Sequence, residues 1–149
     1  MQKLLTHSST LKHSNSRARV ANIIRRISLE LHECERSYLQ DFISNKLCRG
    51  AKGSWRLMGL ELIGEGDISS SEESCYSTNE VEVLRAIILR LSDKIPAVRA
   101  KCAMNIHQFY SKHPDSKNSC NFMRLQVIEA LSRRLEDGRA TVRRAAVRM

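Results

Sequence analysis

Two aspartate–arginine pairs, Asp93 with Arg99 and Asp137 with Arg143, recur at one spacing forty-four residues apart. A carboxylate and a guanidinium can form a bidentate, charge-assisted pair, so the chemistry this spacing offers first is cohesion between parts of the chain. Each aspartate stands just ahead of a helix start, where it can accept backbone N–H bonds and oppose the helix dipole, worth about 0.3–1 kcal/mol. Each arginine falls in the first turn of that helix, an unfavourable end for a cation unless a carboxylate answers it. The turn aspartate of the same or the adjacent unit is the expected answer, giving a polar ladder of Asp93, Arg99, Asp137 and Arg143. The alternative is a pair of solvated surface charges worth about 0–1 kcal/mol. Recurrence at the same place in both units favours the ladder. In either case these residues build architecture and do not catalyse a reaction.

No other constellation points to catalysis. The five cysteines (34, 48, 75, 102 and 120) form no C-x-x-C pair and no zinc spacing. Cys34 and Cys102 fall on apolar helix faces and read as small core residues, and the odd count suits a reducing compartment. His32 sits two residues before Cys34, on a different helix face, and His107 and His113 lack partners. There is no Gly-rich phosphate loop, nucleophile elbow or paired-carboxylate site. No catalytic, cofactor-binding or metal-binding residue is therefore expected, and no cofactor. Ser69 and Ser70 each have a glutamate three residues on, an arrangement acidophilic kinases accept, so both are candidate phosphorylation sites. An unmodified solvated loop is the plainer reading.

The net charge of +9 is unevenly placed. Lys3, Lys12, Arg17, Arg19, Arg25 and Arg26 precede the first acid, Glu30, and residues 61–82 carry only acids. Arg133, Arg134, Arg139, Arg144 and Arg148 crowd the end and are candidates for contact with DNA or a partner. A basic surface suits a phosphate backbone, and each phosphate neutralised adds to the salt dependence of binding. Few aromatics interleave with these arginines, so base stacking is not indicated and any DNA contact is expected to be weak and sequence-independent. A solvated, Arg-rich helix face is the alternative. The basic, acid-free first 26 residues also match the composition of a mitochondrial transit peptide. No run approaches the roughly 18 apolar residues of a membrane span, so no membrane partner is expected.

The elements that must position the ladder are helices. Ser77 with Glu80 can form a capping box, and Val81, Leu84, Ile87 and Leu91 then step along one helical face. A turn comes next at residues 93–95, and Pro96 stands where a second helix needs no backbone donor. That helix carries Val98, Cys102, Ile106 and Phe109 or Tyr110 inward and fades near Lys112, ahead of Pro114. Leu125, Ile128, Leu131 and Leu135 repeat the first face, Val142 and Ala146 the second, with Gly138 easing the turn. Upstream, Val20, Ile24, Ile27, Leu31, Cys34, Tyr38 and Phe42 define one long amphipathic helix or two in close sequence. A shorter helix over residues 54–63 would bury Trp55, Met58 and Leu62, although Gly59 costs it about 1 kcal/mol relative to alanine.

A repeat of this length lies within the roughly 40–47 residues of stacked helical hairpins. Asp-x-x-x-x-Val-Arg, preceded by an apolar helix and followed by small residues, resembles the HEAT repeat. The string Arg90-Leu-Ser-Asp-Lys-Ile-Pro-Ala-Val-Arg-Ala-Lys-Cys-Ala is similar to the D-type, non-SMC HEAT subunit of condensin, condensin II most of all, and residues 135–147 resemble a following repeat. That resemblance implies an all-α solenoid of HEAT-like hairpins and a non-catalytic scaffold. Its partners would be the kleisin and SMC subunits of condensin, in mitotic chromosome condensation, in the nucleus and on chromosomes. An unrelated HEAT adaptor and an autonomous basic nucleic-acid binder are the rivals. The expected organisation is a disordered basic lead-in over 1–16 and an irregular helical hairpin over 17–63. An acidic Ser-rich loop spans 64–76, with repeats over 77–114 and 115–149. The second repeat is expected to be cut within its second helix, as in a fragment or short isoform; an intact protein with a frayed end is the alternative.

Overall fold

A computed structural model describes residues 14–64, 78–112 and 121–147, all helical or in the turns between helices, with no strand among the described residues. The acidic loop with Ser69 and Ser70, the capping residue Ser77, His113, Cys75, Cys120 and Arg148 lie outside them. The chain forms two compact units, Met1–Gly66 and Asp67–Met149.

In the first unit, α1 (Ser14–Leu29) is followed by α2 (Glu33–Asp41), a π-helical turn (Phe42–Leu47) and α3 (Gly53–Gly64). Residues 14–16, expected in the lead-in, already belong to α1; Ser and Asn suit a helix start, where their oxygens can serve free N–H groups. The long amphipathic stretch is two helices. The Glu30 N–H bonds the Ile27 carbonyl at 3.1 Å, closing α1. His32 is extended, and its N–H is accepted by Glu35 at 3.1 Å at the start of α2. The break resets the helical phase, so the apolar stripe read across it does not hold: Cys34 and Tyr38 are exposed, while Leu39 and Ile43 are buried; Ile27, at the end of α1, is also exposed. Cys34 is thus a surface thiol, in contrast to Cys48 and Cys102, which are buried.

The π-helical turn ends where the Cys48 N–H reaches the Ile43 carbonyl at 2.9 Å. α3 packs against it and against α1. Met58, Leu60, Leu62 and Ile63 are buried and Trp55 is half-buried. Gly59 explains itself here. A β-carbon at this position would lie 2.7 Å from Cys48 Sγ and 3.0 Å from both the Cys48 nitrogen and Leu47 Cβ. The helix accepts the entropic cost of glycine because backbone must meet backbone.

In the second unit, α4 (Thr78–Arg90) and α5 (Pro96–Lys112) form one hairpin, and α6 (Asn121–Leu135) and α7 (Ala140–Val147) form the next. α5 packs most extensively on α7, and α4 touches α6, so like helices stack on like. Leu84, Ile87, Leu91, Val98, Cys102, Ile106, Val127 and Val142 are buried between them, the larger ones contributing about 1.5–3 kcal/mol each. Gly138 does not carry the turn as expected. A β-carbon there would meet nothing within 4 Å, and the equivalent turn holds Lys94 at this place.

The two glycines therefore answer oppositely to alanine. Gly59→Ala is expected to lower stability by about 1–2 kcal/mol in denaturant titrations, overpacking outweighing the gain in helix propensity. Gly138→Ala is expected to be neutral or to stabilise by up to about 1 kcal/mol, through the unfolded chain.

Candidate functional site

The ladder is built where two hairpin turns stack. Arg99, in the first turn of α5, donates from Nε to Oδ2 of Asp137 at 2.7 Å and from Nη2 to Oδ1 at 2.8 Å. Its Nη1 turns back to the carbonyls of Asp93 at 2.8 Å and Lys94 at 3.3 Å. One guanidinium thus closes its own turn and clasps the next one, using the fork geometry that lysine lacks. Each aspartate first completes its local turn: Asp93 Oδ1 accepts the Ile95 N–H at 2.9 Å and Asp137 Oδ1 the Arg139 N–H at 3.0 Å. Arg90 and Arg134, one turn upstream, each stand 3.6 Å from Oδ2 of the aspartate in their own unit. Both aspartates are buried.

Electrostatics track the geometry. Hydrogen bonding from Arg99 holds the Asp137 carboxyl down at about 2, against an ordinary value of 3.8; the Arg139 N–H and the charges of Arg99 and Arg134 add to this, and burial opposes it. The same hydrogen bond raises Arg99 above its usual value. A carboxylate with a depressed folded pKa stabilises the fold above its unfolded pKa and loses that contribution as pH falls through the folded value. For Asp137 the window runs from 3.8 down to about 2.

Arg143 repeats half of this pattern. It donates from Nη1 to the Asp137 carbonyl at 2.6 Å, as Arg99 does to Asp93, and is otherwise exposed. Among the residues expected to touch DNA or a partner, Arg134 faces Asp137 and belongs with the ladder. Arg133 is paired on the surface with Glu129 at 2.6 Å. Arg139 and Arg144 are exposed. The matching arginines at 90 and 134 were the signal for that extra rung.

Residue spacing gave no sign of the polar clasps in the first unit. Arg17 Nε donates to Glu61 Oε1 at 3.4 Å and Arg25 Nη2 to the Glu61 carbonyl at 3.2 Å, joining α1 to α3. Arg56, buried on α3, donates from Nη1 to the carbonyls of Gly50 and Ala51 at 2.7 Å each. A charged residue inside the apolar run around Met58 was the one available hint. Among the described residues no three His, Cys, Asp or Glu side chains gather as a metal site, and no helix is long and apolar enough to cross a membrane.

Stacked helical hairpins clasped turn to turn by an arginine and an aspartate define a HEAT-type repeat scaffold. Residues 3–149 match the family described as sister chromatid cohesion protein PDS5, and the chain belongs to that family. It is a HEAT-repeat family of the cohesin- and condensin-related class, nuclear and chromosome-associated, generally non-catalytic, and it works with SMC–kleisin cohesin complexes. No curated protein and no solved structure matches the chain.

Arg99→Ala is expected to cost about 2–4 kcal/mol, since it leaves the buried Asp137 carboxylate without its main partner. Arg143→Ala should cost less than about 1 kcal/mol, as for other exposed side chains. In a pH series, the wild-type chain should lose stability between 3.8 and about 2 more steeply than Asp137→Asn, which has no carboxylate to protonate.

Proposed function

We propose that this chain is a non-catalytic scaffold segment that acts in chromosome cohesion by holding SMC–kleisin partners on its stacked hairpins. The family match over residues 3–149 carries the reading. The ladder supports it physically. Asp93, Arg99 and Asp137 are committed to ion pairs and to turn backbone groups, so they tie the two hairpins together and leave outer helix faces for partners. A solenoid of this kind displays an extended surface, which suits a long, extended ligand such as a kleisin chain. ATP hydrolysis would belong to the SMC partners, and the scaffold would work in the nucleus, on chromosomes.

A second reading narrows the partner to condensin II, where the segment would serve mitotic chromosome condensation. The string from Arg90 to Ala103 favours it. Affinity purification of the tagged chain from mitotic and interphase nuclei separates the two. Cohesin kleisin and SMC subunits in the eluate support the first, condensin II subunits the second, and neither set at any stage defeats both.

DNA is expected to be at most an auxiliary ligand. Arg139 and Arg144 are exposed, and each phosphate they neutralise should contribute about −0.9 to the slope of log affinity against log salt. In filter binding across a salt series, Arg139→Glu with Arg144→Glu should flatten the slope by about 1–2 and weaken all sequences alike. Submicromolar affinity near physiological salt would instead mark the chain as an autonomous nucleic-acid binder.

A further inference from the structure

The end of α1 brings a phosphoacceptor, its recognition charges and a clasp to α3 into one string, Arg25-Arg26-Ile27-Ser28-Leu29. Two guanidiniums shortly ahead of a serine, with an apolar residue after it, are what arginine-directed protein kinases read. Their carboxylates hold the arginines, and an apolar pocket takes the following side chain. Arg26 and Ile27 are exposed, and Leu29 is 67% exposed, so that side chain is open to a partner. Ser28 itself is half-buried. It follows the buried Ala21 and Ile24 on the face that α1 turns toward α3. Its Oγ donates to the Arg25 carbonyl at 2.7 Å, and Arg25 Nη2 donates to the Glu61 carbonyl on α3 at 3.2 Å. The serine and the clasp thus meet in one residue, Arg25.

We propose that Ser28 is a phosphorylation site for an arginine-directed protein kinase, and that its phosphate releases the end of α1 from α3. In the transfer, Oγ of Ser28 attacks the γ-phosphorus of ATP and the bond to the β–γ bridging oxygen breaks. ADP leaves, and the hydroxyl proton passes to the catalytic carboxylate of the kinase. The helix end gives access. Beyond Leu29 the chain turns on bonds from the Glu30 N–H to the Ile27 carbonyl at 3.1 Å and from the Leu31 N–H to the Ser28 carbonyl at 3.4 Å. Helix ends of this kind open at low cost in free energy. Three effects then oppose reclosure. The phosphoryl group replaces the hydrogen that Ser28 gave to the Arg25 carbonyl. It places about 1.5–2 negative charges at the negative end of the helix dipole, two residues from Glu30. It also competes with the Glu61 carbonyl for Arg25, a charged acceptor against a neutral one. Arg36, which donates to the Leu31 carbonyl at 3.1 Å, is the rival: its pairing with the phosphate would brace the junction instead. The inference goes beyond the scaffold reading and stands whichever chromosomal complex the chain serves.

The test incubates the full chain with ATP and the catalytic subunit of the cyclic-AMP-dependent kinase, maps phosphate by mass spectrometry and follows amide hydrogen exchange. Phosphate is expected on Ser28, and Ser28→Ala should abolish it while leaving exchange within about threefold of wild type. Arg26→Gln, at a side chain that takes no part in the clasp, should lower kcat/KM for the transfer by about tenfold. In the unmodified chain the same substitution should leave exchange within about threefold of wild type, which separates recognition from folding. Once Ser28 carries phosphate, the amides of residues 24–31 should exchange at least about tenfold faster. Arg25→Ala, which removes the clasp without phosphate, should speed the same amides. Phosphate confined to other residues overturns the proposal, as does a Ser28 left unmodified in the full chain while a peptide of residues 22–31 is modified. Unchanged or slowed exchange after modification of Ser28 overturns the release, and slowing that Arg36→Gln abolishes would assign the phosphate to Arg36.

Discussion

A two-helix hairpin has two apolar faces and covers only one of them by folding on itself. Everything in the second unit stems from that shortage. α4 with α5 and α6 with α7 are each too thin to hide Leu84, Ile87, Val98 or Val142 unless another hairpin lies alongside. Burial supplies the drive to stack but is indifferent to sliding, because apolar contacts are not directional. Arg99 supplies the register. Its planar fork reaches Asp137 at 2.7 and 2.8 Å, and those distances do not survive a slip of one helical turn. Hydrophobic area and bidentate geometry thus do separate work, the first on stability and the second on alignment.

The aspartate serves two masters at that point. Asp137 accepts the Arg139 N–H, which starts α7, and the Arg99 guanidinium, which fixes the hairpin before it. Forming the turn and docking the turn are therefore coupled through one carboxylate. This coupling depresses its pKa, and Arg134 adds to the same field. The first unit solves its packing differently, with Arg56 gathering loop carbonyls, Arg17 and Arg25 reaching Glu61, and Gly59 letting α3 touch the π-helical turn. Such clasps hold the helices of the first unit together and do not recur at a fixed spacing.

A scaffold in the PDS5 family needs stiffness and surface more than chemistry. The ladder provides the stiffness by retiring charges into the seam between turns. What remains outward is a mixed surface: exposed arginines such as Arg139 and Arg144, and apolar side chains such as Ile128 and Leu135. Guanidinium groups and apolar side chains thus lie side by side on the outer faces of the stack.

The helical period, the recurrence of Asp and Arg and the place of Pro96 were enough to specify stacked hairpins, because each acts over a few residues and needs no distant partner. The identity of the rung was only narrowed. Residue types said that Arg99 wanted a carboxylate; packing chose Asp137 on the next hairpin and added Arg90 and Arg134 to the seam. Where local pattern failed, the cause was a long-range constraint. The break at His32 changed the phase of α2, so Cys34 and Tyr38 went to the surface. Gly59 looked like a defect until Cys48 was seen against it, and Gly138 looked necessary until its surroundings proved empty. Periodicity reports which way a side chain faces along its own helix; whether anything stands there to meet it is settled by residues far away in the chain, which no local spacing encodes.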